Sequence, residues 1–107
     1  MINPTIEAAI NDQIKHEFES AYLYLSMSAY FESVNLSGFA HWMRLQYEEE
    51  TVHAMKLFDY LHDRGGRAVL QAMAQPQSSF NSSLEVFEMA LHHEQRVTAL
   101  INSLYDL

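Results

Sequence analysis

Three stretches of this chain repeat one rhythm, in which apolar positions are separated alternately by four and three residues. That spacing lines up one face of an α-helix. The first stripe is Ile10, Ile14, Glu17, Ala21, Tyr24, Ser28 and Phe31, in a segment that reads as one helix from residue 4 to about 34. Asn3 can cap it, and Pro4 sits where a first-turn proline is tolerated. Asn35-Leu36 breaks the pattern. Ser37 restarts a helix to about Arg64, with the stripe Phe39, Met43, Gln46, Glu50, His53, Leu57 and Tyr60, and Gly65-Gly66 ends it. A third helix begins at Ser82 or Ser83, where Ser82 and Glu85 fit a capping box. Its stripe is Leu84, Phe87, Leu91, Glu94, Thr98, Ile101 and Tyr105, and it reaches the last residues with no cap or breaker. Residues 67 to about 81, which include Gln75-Pro76-Gln77-Ser78-Ser79, read as a crossover able to traverse the end of a bundle or run along its side. Within it, Val69-Leu70 and Met73 can pack locally. The pattern predicts an all-α chain of three long helices.

Each stripe is interrupted near its middle by a residue that can bind a metal. The first carries Glu17 and the third Glu94. The second carries Glu50 and His53, one turn apart on the same face. A single Glu on an apolar stripe is usually a boundary residue whose carboxylate reaches water. A Glu-x-x-His pair is weak by itself, and an acidic run such as Glu48-Glu49-Glu50 is most often solvated. Three helices carrying such residues at matching depth are harder to explain that way. Buried carboxylates and imidazole are costly unless compensated, and a cation compensates them. Carboxylates are hard donors that can bridge two cations, and imidazole is a borderline donor suited to iron, zinc or manganese. A carboxylate-rich, partly open set suits iron better than closed tetrahedral zinc.

Composition narrows the partners. The chain has 107 residues, 49% of them hydrophobic, which is enough for the core of one domain spanning 1–107. Its formal charge of −8 disfavours nucleic acid and favours cations. There is no Cys, which removes disulfides, thiolate zinc sites and cysteine nucleophiles from consideration. No signal peptide is visible at the N-terminus, and no apolar run approaches a membrane span.

Other candidates are weaker. Tyr24 lies two turns beyond Glu17 on the same stripe, where it can hydrogen-bond a ligand, donate an electron or simply pack. Glu49 faces about 100 degrees away from Glu50, toward an accessory cation or toward water. Trp42, with Phe39 and Met43, reads as core. His16, His41, His62, His92 and His93 read as surface histidines.

At these residues the chain resembles the ferritins, most closely the bacterial non-haem ferritins. The resemblance is carried by Glu17 with Ala21-Tyr22-Leu23-Tyr24 and Met27-Ser28-Ala29-Tyr30-Phe31, and by Gly38-Phe39 through Glu50-Thr51-Val52-His53 to Leu57. Asp63-Arg64-Gly65-Gly66-Arg67 and Ala90-Leu91-His92-His93-Glu94 add to it. It runs the length of the sequence and implies ferritin-like four-helix-bundle topology, with only three of the long helices present here. It also implies a di-iron ferroxidase centre. In that centre Glu17, Glu50 and His53 bind the first iron, Glu50 bridges, and Glu94 binds the second. Tyr24 stands beside the centre as a catalytic tyrosine, and Glu49 belongs to a third iron position. In that family Fe(II) is oxidised by dioxygen or peroxide and stored as Fe(III) mineral within a 24-subunit cytoplasmic homo-oligomer. The haem-binding members place Met directly after the bridging Glu. Thr51 stands there in this sequence, so no haem is expected.

Family members continue through a fourth long helix, which supplies further ligands to the second iron, and usually a short fifth. This sequence stops before them, which leaves one side of the stripes exposed. Two other readings stand beside iron storage with ferroxidase activity. One is a metal-binding helical assembly module without turnover, and the other is a purely structural helical fragment.

Overall fold

The computed structural model describes residues 2–106. They form three helices: α1 (Pro4–Ser33), α2 (Ser37–Asp63) and α3 (Ser83–Tyr105). They pack into a rod of 50 × 21 × 20 Å, whose long dimension is set by the 30 residues of α1.

The ends of the helices follow from local chemistry. The Asn3 side chain accepts from the Thr5 amide at 2.8 Å, with Pro4 in the first turn of α1. Asn35 takes a positive φ of 62°, and the Leu36 amide returns to the Phe31 carbonyl at 2.9 Å. This left-handed residue lets the chain reverse within three residues. Gly65 plays the same part after α2, with φ of 82°. Gly66 is needed for a different reason. A Cβ there would stand 2.7 Å from Leu61 Cδ1 and 2.8 Å from a Glu7 carboxylate oxygen, because the chain crosses from α2 to the start of α1 at that point. At α3, Ser82 Oγ accepts from the Glu85 amide, but the Glu85 carboxylate reaches the Asn81 amide, one residue before the cap.

α1 is the central helix. Every position of its expected stripe is buried: Ile10, Ile14, Glu17, Ala21, Tyr24, Ser28 and Phe31. α2 runs antiparallel to it, so that Phe31 meets Ala40 at one end and Ile10 and Ile14 meet Leu61 at the other. Residues 64–82 then run along the side of α1 from its start to its end. Asn11 holds Arg67 and Val69, Asp12 accepts from Gln71, and Ser26 Oγ donates to the Gln77 carbonyl. Phe80 stacks edge-on against Tyr30. The crossover returns the chain to the Phe31 end, and α3 descends antiparallel to α1, from Val86 in the upper cluster to Leu104 in the lower.

On α2 and α3 the buried face differs from the expected stripes. Met43 and Glu50 of α2 are buried as expected, but their buried neighbours are Ala40, Ala54 and Leu61 rather than Phe39, His53 and Tyr60. On α3 the buried residues are Val86, Ala90 and Val97, whereas Leu84 and Leu91 are 67% and 62% exposed. The cause is geometric. α1 touches both other helices and buries its whole stripe. α2 and α3 each bury only the flank that meets α1, and their opposite flanks face an open side. Trp42, expected in the core, is 45% exposed, and Phe39 is also exposed. Both rings rest on Phe87, with centroids 5.7 and 5.1 Å apart respectively, and so link the two helices at one end. Val69, Leu70 and Met73, expected to pack locally, are exposed as well.

The apolar interior has two parts. Tyr24, Met27, Phe31, Ala40, Met43, Val86 and Ala90 form the upper cluster, and Ile10, Ile14 and Leu61 form the lower. Each large aliphatic or aromatic side chain buried there contributes roughly 1.5–3 kcal/mol. Between the clusters lies a polar layer, and that layer holds the candidate site. No helix among the described residues is long and apolar enough to cross a membrane.

Candidate metal centre

α1 and α2 each bring one carboxylate into the layer between the clusters. Glu17 is 1% exposed and Glu50 is also buried. His53 follows Glu50 by one turn, and its side chain is 44% exposed on the open side of α2. One ligand atom from each of these three residues lies within 4.8 Å of the other two.

The separations are informative. His53 Nδ1 stands 3.5 Å from Glu50 Oε2 and 4.0 Å from Glu17 Oε2. Both distances exceed a good hydrogen bond. Two donors that share one cation at about 2.0–2.2 Å each stand roughly 3–4.4 Å apart, so this spacing suits a common ion. The same two carboxylate oxygens, Glu17 Oε2 and Glu50 Oε2, are buried and have no hydrogen-bond partner among the described residues. Unpartnered buried oxygens are costly, and these two point at one imidazole nitrogen. Burial, and then the neighbouring Glu17 and Glu94 carboxylates, push the Glu50 carboxyl up to about 9. The charged form of Glu50 is therefore disfavoured where it lies, and a bound cation would oppose that shift.

α3 supplies the second half of the layer. Its contact with α1 is fixed by two polar pairs one turn apart. The Tyr24 hydroxyl donates to Glu94 Oε1. Ser20 Oγ lies 2.6 Å from His93 Nε2 and 3.0 Å from the His16 carbonyl. The Ser20 proton goes to that carbonyl, so Ser20 Oγ accepts from His93 Nε2–H. His93 is thus a half-buried clamp between helices rather than a surface histidine. Burial lowers its pKa below the usual value, which favours the neutral ring. Tyr24 is shifted the opposite way: burial and the Glu94 carboxylate raise its phenol well above the usual range. It remains a hydrogen-bond donor at any ordinary pH.

The expected residues thus fall into three groups. Glu17, Glu50 and His53 converge. Glu94 is held by Tyr24 outside that triplet, yet near enough to act on Glu50. Glu49 is exposed, although its charge is felt at Tyr24. Glu48 is exposed too and lies 3.8 Å from Arg44. His41, His62 and His92 are exposed, while His16 lies 3.4 Å from Glu19. The pattern of stripes missed two contributors, Gln13 and the Ser20–His93 clamp. Gln13 is buried and donates from Nε2 to Glu17 Oε1 at 3.2 Å. Its spacing four residues before Glu17 was the available signal.

Known proteins are similar to this chain in sequence and in overall fold. A bacterial non-heme ferritin of Bacteroides fragilis is 44% identical over all 107 residues, which cover 67% of its own length. One of Staphylococcus aureus is 36% identical, with 64% of its length covered. Among solved structures, an Archaeoglobus fulgidus ferritin engineered to a closed form superposes with a TM-score of 0.96 at 47% identity, covering 99% of this chain and 65% of that one. A humanized archaeal ferritin gives 0.97 at the same identity, covering 99% and 64%. The chain therefore spans about two thirds of the length of these relatives. The model of the ferritin-like domain matches residues 7–107. That match takes in Glu17, Glu50, His53 and Glu94 on their three helices, and with these relatives it establishes that the chain belongs to the ferritin family.

Proposed function

We propose that this chain is an iron-storage ferritin subunit that oxidises Fe(II) to Fe(III) at a di-iron carboxylate centre. The observation that carries this reading is the pair of buried, unpartnered oxygens, Glu17 Oε2 and Glu50 Oε2, converging with His53 Nδ1. Iron is the substrate. Glu17, Glu50 and His53 take the first Fe(II), and the proton held by Glu50 leaves as it binds. Glu94 and the bridging Glu50 take the second, and Tyr24 orients Glu94 by donating to one of its oxygens. Two Fe(II) ions give up two electrons. With two protons these reduce dioxygen to hydrogen peroxide, or hydrogen peroxide to two waters. The protein contributes placed donors, with Glu17 and Glu50 buried between two apolar clusters. We assign Glu49 to an accessory iron, on the ground that its exposed carboxylate is near enough for its charge to be felt at Tyr24. The family's homo-oligomeric cage is the proposed setting for mineral storage, in the cytoplasm.

Anaerobic addition of Fe(II), followed by air, tests this. The expected result is a transient di-ferric absorbance and oxidation faster than in buffer. Folded protein that oxidises no faster than buffer overturns the ferroxidase reading.

One observation favours a second reading. Glu94 is occupied by Tyr24 and stands outside the triplet, and His53 lies on the open side of α2. A metal-binding assembly module would bind one ion at Glu17, Glu50 and His53 and oxidise nothing. One bound ion per chain without turnover selects this alternative.

A further inference from the structure

Glu17 offers two oxygens, and the structure treats them differently. Oε1 accepts from Gln13 Nε2 at 3.2 Å. Oε2 has no hydrogen-bond partner among the described residues and faces His53 Nδ1. Gln13 and Glu17 both lie on α1, one turn apart. Gln13 is 3% exposed, packed at the level where the lower apolar cluster meets the polar layer.

We propose that Gln13 is a positioning residue for the metal centre, holding Glu17 as a one-oxygen ligand by occupying Oε1 and leaving Oε2 for the ion. This inference rests on the metal-site reading above. A carboxylate at the end of three rotatable side-chain bonds can bind an ion through one oxygen or both. A hydrogen bond to one oxygen decides between these modes before the ion arrives, and it fixes the plane of the carboxylate. Partners behind a metal ligand act in this way and typically change affinity by about 10–100-fold when removed. A carboxamide is suited to the position. It is a neutral donor, so it orients Glu17 without placing a competing positive charge beside an incoming cation. A lysine at that distance would form an ion pair with Glu17 and oppose the ion. The helix supplies the geometry, since residues four apart stand one above the other.

The test uses Co(II) as the probe, because its visible absorption reports coordination number and geometry without turnover. Gln13→Met keeps the length and volume of the side chain and removes the donor. Gln13→Leu removes it in a second shape. In the wild-type protein we expect Co(II) to bind, and Glu50→Ala to weaken that binding by at least about 100-fold. In both Gln13 variants we expect unchanged helix content by circular dichroism and one ion still bound. The affinity should fall about tenfold, with a changed Co(II) band shape as Glu17 becomes free to use both oxygens. Wild-type affinity and spectrum in both folded variants overturn the positioning role and leave the metal site standing. A wild-type protein that binds no Co(II), or binds it equally after Glu50→Ala, overturns the metal site and this role with it. Loss of helix in both variants overturns the proposal by assigning Gln13 to packing.

Discussion

The hydroxyl of Tyr24 donates to the carboxylate of Glu94, 70 residues further along the chain. This bond joins α1 to α3 at the level of the candidate metal centre. With Ser20 and His93 one turn away, it fixes both the height and the rotation of α3, so that Glu94 is the residue presented to Glu50.

Removing that hydroxyl separates positioning from ion binding. Tyr24→Phe keeps the ring in the upper cluster and leaves Glu94 to reorient toward water, since Glu94 is only partly buried. The expected loss of stability is about 0.5–1.5 kcal/mol. One Co(II) ion should still bind at Glu17, Glu50 and His53 with near wild-type affinity, while Fe(II) oxidation slows severalfold. Thermal unfolding, Co(II) titration and stopped-flow absorbance check the three parts. An unchanged oxidation rate would show that the Tyr24 bond has no bearing on the second iron.

The ligand triplet makes a sharper prediction. His53→Ala removes one donor and leaves two buried oxygens facing each other. Glu50→Ala removes the group shared between the two proposed irons. Each should weaken Co(II) or Zn(II) binding by at least 100-fold, on the general expectation that losing a ligand costs more than losing the partner behind it. Isothermal titration in a non-coordinating buffer measures this. Equal affinity in the Glu50→Ala protein would remove the metal centre from the account.

The two glycines after α2 differ in what they tolerate. Gly65→Ala forces an L-residue into the left-handed region at φ of 82°, at a cost of about 1–2 kcal/mol. Gly66→Ala meets Leu61 and Glu7 at less than van der Waals distance, and overpacking of that kind costs roughly 1–3 kcal/mol. The second change should also loosen the start of the crossover, because the Arg67 amide donates to the same Glu7 oxygen that the new methyl displaces. Denaturant midpoints measure both losses. Faster amide exchange at Arg67 and Val69 in Gly66→Ala alone would distinguish the two mechanisms.

Much of this was legible in the sequence, and the exceptions share a cause. Stripe spacing, Asn3, Asn35, Ser82 and the Gly65-Gly66 pair define three helices within a residue or so of their observed ends. The stripe also locates Glu17, Glu50 and His53 at one depth, which suffices to anticipate their convergence. It fails to say which flank of a stripe is covered, because periodicity is a property of one helix and coverage depends on its neighbours. Phe39, Trp42, Leu84 and Leu91 were misplaced for that reason. Gln13 and Ser20 were overlooked for another. A small or amide side chain on a buried face is ordinary until its partner is known, and the partner of Ser20 lies 73 residues away.

The last prediction concerns protonation. Burial, and then the Glu17 and Glu94 carboxylates, push the Glu50 carboxyl up to about 9 in the folded chain, against an ordinary carboxyl near 4.5 once unfolded. Between those values the folded state binds more protons than the unfolded state, so metal-free stability falls as pH rises across that window. Below about 4.5 both states are protonated at this position and the penalty is absent. Above about 9 it is fully expressed, as a charge held in the polar layer beside Glu17. Glu50→Gln should therefore be more stable than wild type in chelator at pH 8, by about 1–3 kcal/mol, and the two should converge toward pH 5. Metal reverses the order. Binding removes the proton from Glu50, so wild-type affinity for Co(II) should increase with pH up to about 9, and saturating Co(II) should raise the wild-type midpoint above that of Glu50→Gln. Thermal midpoints of both proteins at pH 5 and 8, with chelator and with Co(II), give the full comparison. A metal-free wild type that is no less stable than Glu50→Gln at pH 8 would mean that the Glu50 carboxylate is already satisfied, and the case for a cation at that position would lose its physical basis.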